Sequence, residues 1–301
     1  MNDDKSKDAE EKVQELYSQA LDHYELYEYD KALDLLLEAE MIDQNNIDIL
    51  RGIAQIYLML KGFKETINYC EKTLKINPED DVTLIVYGSA YLQQGDFETA
   101  KEYFQKAEKI NPESFDVNFN LGVLHKNLRK FQKALDFFHK AESIDSNDVF
   151  TKFSIAETYE DLDKIDDAIK YYSKVLELSS DAYPIIMRLA ELHYDRKEYE
   201  KSLEYQKEFL KIFPDDHLII NNIGYTYLKM GELEKALEFI KKSIEINSEF
   251  ADAWNSLGEY YEIKEDYKKA LEHYQKAHSL DKENPEHKEA IERIRKKLKK
   301  K

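Results

Sequence analysis

The sequence predicts an all-α solenoid of stacked helical hairpins, and three observations lead there. Blocks such as "KALDLLLEAEMIDQNN", "TAKEYFQKAEKINPES", "KALDFFHKAESIDSND" and "KALEFIKKSIEINSEF" recur at multiples of 34 residues, and a fixed period of that length marks a repeat architecture. Glycine and proline number only 8 and 5 in 301 residues, which favours helices over a glycine-turned β architecture. Within each period, apolar residues fall at positions 4, 7, 8 and 11 and again at 17, 20, 21, 24 and 28, two runs of helical spacing with a break between them.

Residues 1–12, MNDDKSKDAEEK, read as an acidic N-terminal extension that lacks the apolar stretch of a secretion signal. From Val13 the frame predicts eight gapless copies, 13–46, 47–80, 81–114, 115–148, 149–182, 183–216, 217–250 and 251–284. Position 8 is small in all of them: Ala20, Ala54, Gly88, Gly122, Ala156, Ala190, Gly224 and Gly258. Two helices must approach closely there, and the small residues at position 20 supply the complementary side. Position 17 is large and apolar, from Tyr29 and Phe63 to Leu233 and Tyr267, and is expected to anchor the second helix. Gly62, Gly95 and Gly231 lie where the two helices must turn, and Pro78, Pro112 and Pro214 where the second must stop. The sixth copy departs most, with Ser202, Gln206 and Phe209 in place of alanine, a large apolar residue and alanine, and a buried amide at Gln206 needs a partner. Residues 285–301 predict a capping helix with a basic end, its stripe of Ala290, Ile291, Ile294 and Leu298 covering the last copy.

The formal charge of −18 argues against a nucleic-acid partner, and no stretch is long and apolar enough for a membrane span. A lone cysteine, Cys70, forms no intramolecular disulfide and no thiolate zinc site, so a reducing, cytoplasmic setting is expected. His23, His125 and His193 all occupy position 11, which is tyrosine in the other copies, and read as packing residues rather than metal ligands. No phosphate loop, nucleophile elbow or paired metal motif occurs, so the expectation is a non-enzyme without metal or cofactor.

The segment "AWNSLGEYYEIKEDYKKALEHYQKAHSLDKEN" from Ala253 resembles the tetratricopeptide repeat family, with Trp254, Leu257, Gly258, Tyr261, Ala270, Tyr274 and Ala277 on its pattern. The resemblance implies an α-solenoid, a right-handed superhelix of helix-turn-helix hairpins whose first helices line a concave face. Helical spacing then puts positions 2, 5, 9 and 12 on one stripe. That stripe carries Tyr17, Leu21, Tyr24, Val82, Ile85, Leu92, Phe119, Val123, Phe150, Phe153, Met187, Tyr194, Leu218, Tyr225 and Leu228. Glu157, Glu160 and Asp161 in the fifth copy, Glu191 and Asp195 in the sixth, and Glu259 and Glu262 in the eighth add negative charge.

Family members that grip a chaperone's C-terminal carboxylate use basic and asparagine residues at positions 5 and 9. Here Arg51 is the basic residue at those positions, so that role is disfavoured. The asparagine ladder of other members is matched by Asn120 and Asn222, with Asn221 and Asn255 one place earlier, and broken by Ser154 and Arg188. The expected function is a scaffold or adaptor that binds a peptide or helix of a partner protein, one carrying apolar anchors and Lys or Arg. A self-assembling homo-oligomer and the substrate-docking subunit of an enzyme complex are the alternatives.

Overall fold

The computed structural model describes residues 2–179 and 181–299; Met1 and the last two lysines of the basic run lie outside them. Among the described residues there are seventeen helices and no strand. The chain divides into two compact units, 1–164 and 165–301. The first contains α1 (Asn2–Glu25), α2 (Tyr29–Ile42), α3 (Ile47–Met59), α4 (Phe63–Ile76), α5 (Asp81–Gln93), α6 (Phe97–Ile110), α7 (Phe115–Asn127), α8 (Phe131–Ile144) and α9 (Val149–Asp161). The second contains α10 (Ile165–Leu178), α11 (Tyr183–Asp195), α12 (Tyr199–Ile212), α13 (His217–Met230), α14 (Leu233–Ile246), α15 (Ala251–Ile263), α16 (Tyr267–Leu280) and α17 (Pro285–Leu298). The protein is an all-α solenoid, and no described helix is long and apolar enough to cross a membrane.

Each hairpin is punctuated by local chemistry. First helices open on a side chain that accepts from the backbone N–H groups of the first turn: Asn46, Asp80, Ser114, Asp148 and Asp216 do so, as Asn284 does for α17. Ala182 and Phe250 cannot, and before α11 Pro184 in the first turn removes one of the N–H groups that would need a partner. The turn within each hairpin has one residue at positive φ, recurring every 34 positions: Tyr27, Lys61, Gly95, Arg129, Asp163, Lys197, Gly231 and Glu265. The following N–H reaches back five residues, as from Asp96 to the Tyr91 carbonyl and from Glu232 to that of Tyr227, which closes the helix end. Gly62, expected in this turn, lies one place later at φ −80 as the N-cap of α4.

The core is built on positions 8, 20, 24 and 27. Ala32, Thr66, Ala100, Ala134, Ala168, Ser202, Ala236 and Ala270, all at position 20, are wholly buried. The large partner that makes position 8 small is the residue at position 24 of the same hairpin. A Cβ on Gly88 would sit 2.6 Å from the Phe104 ring, on Gly122 2.5 Å from Phe138, and on Gly258 2.6 Å from Tyr274. Where position 8 is alanine, the first, second and sixth copies carry Leu36, Cys70 and Gln206 at position 24 instead of a ring; the fifth, with Ala156, keeps Tyr172. The position-17 residues stand at the start of the second helices and are half-buried, so they flank this core rather than form it.

At the ends, two features differ in kind. α1 begins at Asn2, so the acidic segment expected to be an extension continues the first helix, and neither glycine nor proline interrupts it. α17 lays Ala290, Ile291 and Ile294 against Ala270 and Tyr274, with Leu298 partly buried at the edge. Arg293 and Lys297 donate to Glu262, which also accepts from the Tyr274 hydroxyl. Burial opposes the charge on that carboxylate, yet the bonds from Arg293, Lys297 and Tyr274 hold its pKa down at about 2.

Candidate functional site

The first-helix face of each unit carries the predicted residues, and burial sorts them. In the first unit Ile85 is 7 % exposed and belongs to the core with Leu84, Phe104 and Leu121, so it offers no contact surface. Leu92, Phe119, Val123 and Phe153 are half-buried. Phe119 stacks on Phe115 at 6.0 Å and leans on Phe138 at 5.8 Å, a rigid apolar step on the fourth copy. Val123, Lys126, Asn127, Phe131, Ser154, Glu157 and Asp161 line a cavity of about 390 Å3 together with Arg129 and Phe138.

Charge on this face is partly spent inside the molecule. Lys126 of α7 donates to Glu157 of α9 at 2.6 Å, and Lys229 of α13 to Glu259 of α15 at 2.5 Å. Arg188 pairs with Glu191 at 2.8 Å, and Glu160 is also engaged. Asp161 and Asp195 are exposed and have no ion pair among the described residues. The five clustered carboxylates expected from the sequence therefore reduce to two unpaired ones, with Asp161 in the first unit and Asp195 in the second. Position 12 or 13 of one copy meets position 9 of the next, a relation that helical spacing within one copy does not contain. Arg51 is likewise tied internally, donating to Asp80 at 2.7 Å, and Asp80 also caps α5.

In the second unit Met187, Ala190, Glu191, Tyr194, Asp195, Asn222 and Tyr225 line a cavity of about 320 Å3 whose floor is Gln206 and Thr226. The sixth copy's Gln206 gives it a polar floor where the comparable cavity of the fourth copy has the Phe138 ring. Gln206 replaces the large position-24 residue, is 5 % exposed, and donates to Ser202 Oγ and Thr226 Oγ1, each at 3.3 Å. The amide thus has the partners that a buried position demands, and the shape it leaves is a polar-floored hollow with aromatic walls. Burial raises the pKa of the Tyr194 and Tyr225 hydroxyls, and the two rings lie 6.3 Å apart.

Asn221 of α13, by contrast, is 4 % exposed, and Leu228 of the same helix is also buried, so both leave the predicted surface. Asn255 is half-buried; the Oδ1 atoms of Asn221 and Asn255 have no hydrogen-bond partner. Gln206 and Thr226 were absent from the expected surface because positions 24 and 10 face the core in a regular copy; the glutamine at position 24 was the available signal.

Cys70 is fully buried and its thiol is pushed up to about 12 by that burial, which keeps it protonated and inert. His193 is 4 % exposed and stacks on Tyr205, and His125 stacks on Phe137, so both rings pack as the sequence predicts.

Four family profiles match parts of the chain: a TPR repeat over 88–128, tetratricopeptide repeats over 115–148 and 153–217, and the tetratricopeptide repeat protein 21 C-terminal ARM domain over 201–291. No curated protein matches the sequence significantly. Among solved structures, a thermophilic TPR protein from Thermus thermophilus is 21 % identical, with TM-score 0.55 over 60 % of this chain and 98 % of its own. PilF of Pseudomonas aeruginosa is 18 % identical, with TM-score 0.58 over 68 % and 94 %. YrrB, described as a TPR protein with an unusual peptide-binding site, is 22 % identical, with TM-score 0.50 over 63 % and 97 %. At these identities the likeness is one of fold.

Proposed function

This chain belongs to the tetratricopeptide repeat family, and we propose that it is a cytoplasmic, non-enzymatic scaffold or adaptor that holds a segment of a partner protein on its first-helix faces. The observation that carries this reading is the hollow between α11 and α13, where Met187, Tyr194 and Tyr225 surround a polar floor and Asp195 stands unpaired at the edge. An apolar side chain flanked by Lys or Arg matches that lining. In the first unit Leu92, Phe119, Val123 and Phe153 provide apolar contact, with Asp161 the unpaired acid and Glu157 and Glu160 contributing weaker, shared charge. Glu191 and Asn255 border the second-unit surface, whereas Ile85 and Asn221 support it from the core of their own units. YrrB's peptide site is a property of that protein, and it makes a peptide ligand the first to try here.

The test starts with affinity purification of tagged protein and mass spectrometry of what it retains. Asp161→Lys with Asp195→Lys should weaken the recovered partner about tenfold, mainly through slower association, and raised salt should weaken the wild type more than the variant. Tyr225→Ala should weaken it independently of salt. A strongly acidic partner, or an affinity indifferent to both changes, removes the first-helix faces from consideration.

A further inference from the structure

Eight copies of one motif allow each position to be read against its equivalents, and the junction of the third and fourth copies departs from the rest in a consistent direction. Position 21 is Leu or Ile in seven copies, as at Leu33, Ile67, Leu135 and Leu203, but Lys101 in the third. Position 16 is Lys130 in the fourth copy and Lys164 in the fifth, Gly62 in the second, and Glu or Asp in the other five; the fourth copy alone joins a lysine there to a histidine at position 11. In the first and sixth copies the position-11 histidine bonds that acid through Nδ1, His23 to Glu28 at 2.5 Å and His193 to Glu198 at 2.8 Å. His125 faces Lys130's position instead, and its buried Nδ1 has no partner.

Around this imidazole lies a cavity of about 650 Å3 lined by Lys101 and Gln105 of α6, Lys130, and Lys133, Asp136, Phe137 and Lys140 of α8. None of the four lysines is in an ion pair among the described residues, although the chain carries 62 acids against 44 bases. Lys140 rests over the Phe137 ring. Lys130 also leaves the first turn of α8 without the side-chain acceptor that Asp96 and Asp266 provide for α6 and α16.

We propose that this cavity binds a phosphate-class oxyanion, which takes the place of the carboxylate that His23 and His193 find within their own copies. Four ammonium groups and one carboxylate leave three positive charges around the cavity. One carboxylate compensates that poorly, whereas a phosphate dianion or a pyrophosphate compensates it well. The chain's −18 charge repels an extended polyanion, so the ligand is one phosphate group or a small cluster of them, free or on a partner's side chain, and not a nucleic acid. Burial and the charges of Lys130, Lys133 and Lys101 keep the His125 pKa below its ordinary value, so a bound anion should raise it.

The full chain should be titrated with inorganic phosphate, pyrophosphate, a phosphoserine peptide and the same peptide with glutamate, at physiological ionic strength, by calorimetry and by NMR of the histidine rings. Binding of a phosphate-bearing probe should raise the His125 pKa. Lys130→Glu, which recreates the histidine–glutamate pair of the first and sixth copies, should lower affinity at least tenfold, and Lys101→Leu, the residue of five other copies, several-fold. Both variants carry residues that the repeat already accommodates, so both should fold, and Lys241→Ala should bind like the wild type. A phosphopeptide preferred tenfold over pyrophosphate identifies a modified partner as the source; equal affinities identify a free anion. Absence of binding to every phosphate-bearing probe, equal binding of the glutamate peptide, or unchanged affinity in Lys130→Glu overturns the proposal.

Discussion

At the scale of single residues, the hairpins are held together by a size exchange between positions 8 and 24. Glycine inside a helix costs about 1 kcal/mol relative to alanine. Gly88, Gly122 and Gly258 persist because a ring at position 24 occupies the space a methyl would need. Gly122→Ala should therefore destabilise by about 1–2 kcal/mol in chemical denaturation, overpacking against Phe138 outweighing the helix gain. Phe138→Leu in the same chain should recover much of that loss, since Ala20 and Leu36 are the corresponding residues of the first copy. Equal stability of Gly122→Ala and wild type would mean that the ring moves freely, and the exchange would not explain the glycine.

At the scale of the helix and its turn, one left-handed residue per hairpin recurs, yet only two of the eight are glycine. Left-handed backbone costs a side chain roughly 1–2 kcal/mol, offset in part by the lower entropy of the unfolded chain compared with glycine. Lys61→Gly and Lys197→Gly should each stabilise by up to about 1 kcal/mol, and Gly231→Val should destabilise by more than that. Thermal melts of the three variants check the sign. Lower melting temperatures for both lysine variants would show that these side chains contribute contacts beyond their backbone strain.

At the scale of the whole molecule, the apolar end of the α15–α16 hairpin is covered by α17, and an electrostatic clasp holds the cover in place. Deleting residues 285–301 should lower the melting temperature and expose Tyr274 and Ala270, with increased aggregation measured by light scattering. The clasp adds a pH signature. Glu262 has a folded pKa of about 2, below its unfolded value, so its contribution is present above the unfolded carboxylate range and fades as pH falls toward 2. Glu262→Gln should reduce stability at neutral pH and flatten the loss between about pH 5 and 2. An unaltered acid profile in that variant would place the acid sensitivity elsewhere.

The all-α class, the hairpin and the small position-8 contact were legible in the sequence because they depend on interactions within one 34-residue unit. Helical spacing, a capping Asn or Asp and a stop at proline act over a few residues, and eight repetitions make the pattern unmistakable. The candidate surface was legible only in part, because spacing assigns a residue to a helix flank but does not say what covers that flank. Ile85 and Phe119 share position 5, yet the first is core and the second half-exposed. Glu157 and Asp161 share a helix, yet Lys126 of the preceding first helix neutralises the former alone. His125 looks like its equivalents until the absent acid at Lys130 leaves its Nδ1 without a partner. Local sequence determined the elements and their punctuation; packing between hairpins decided which side chains are buried, which charges are paired and which cavities stay open, because those depend on neighbours roughly 30 residues away whose volumes and charges meet only in the folded stack.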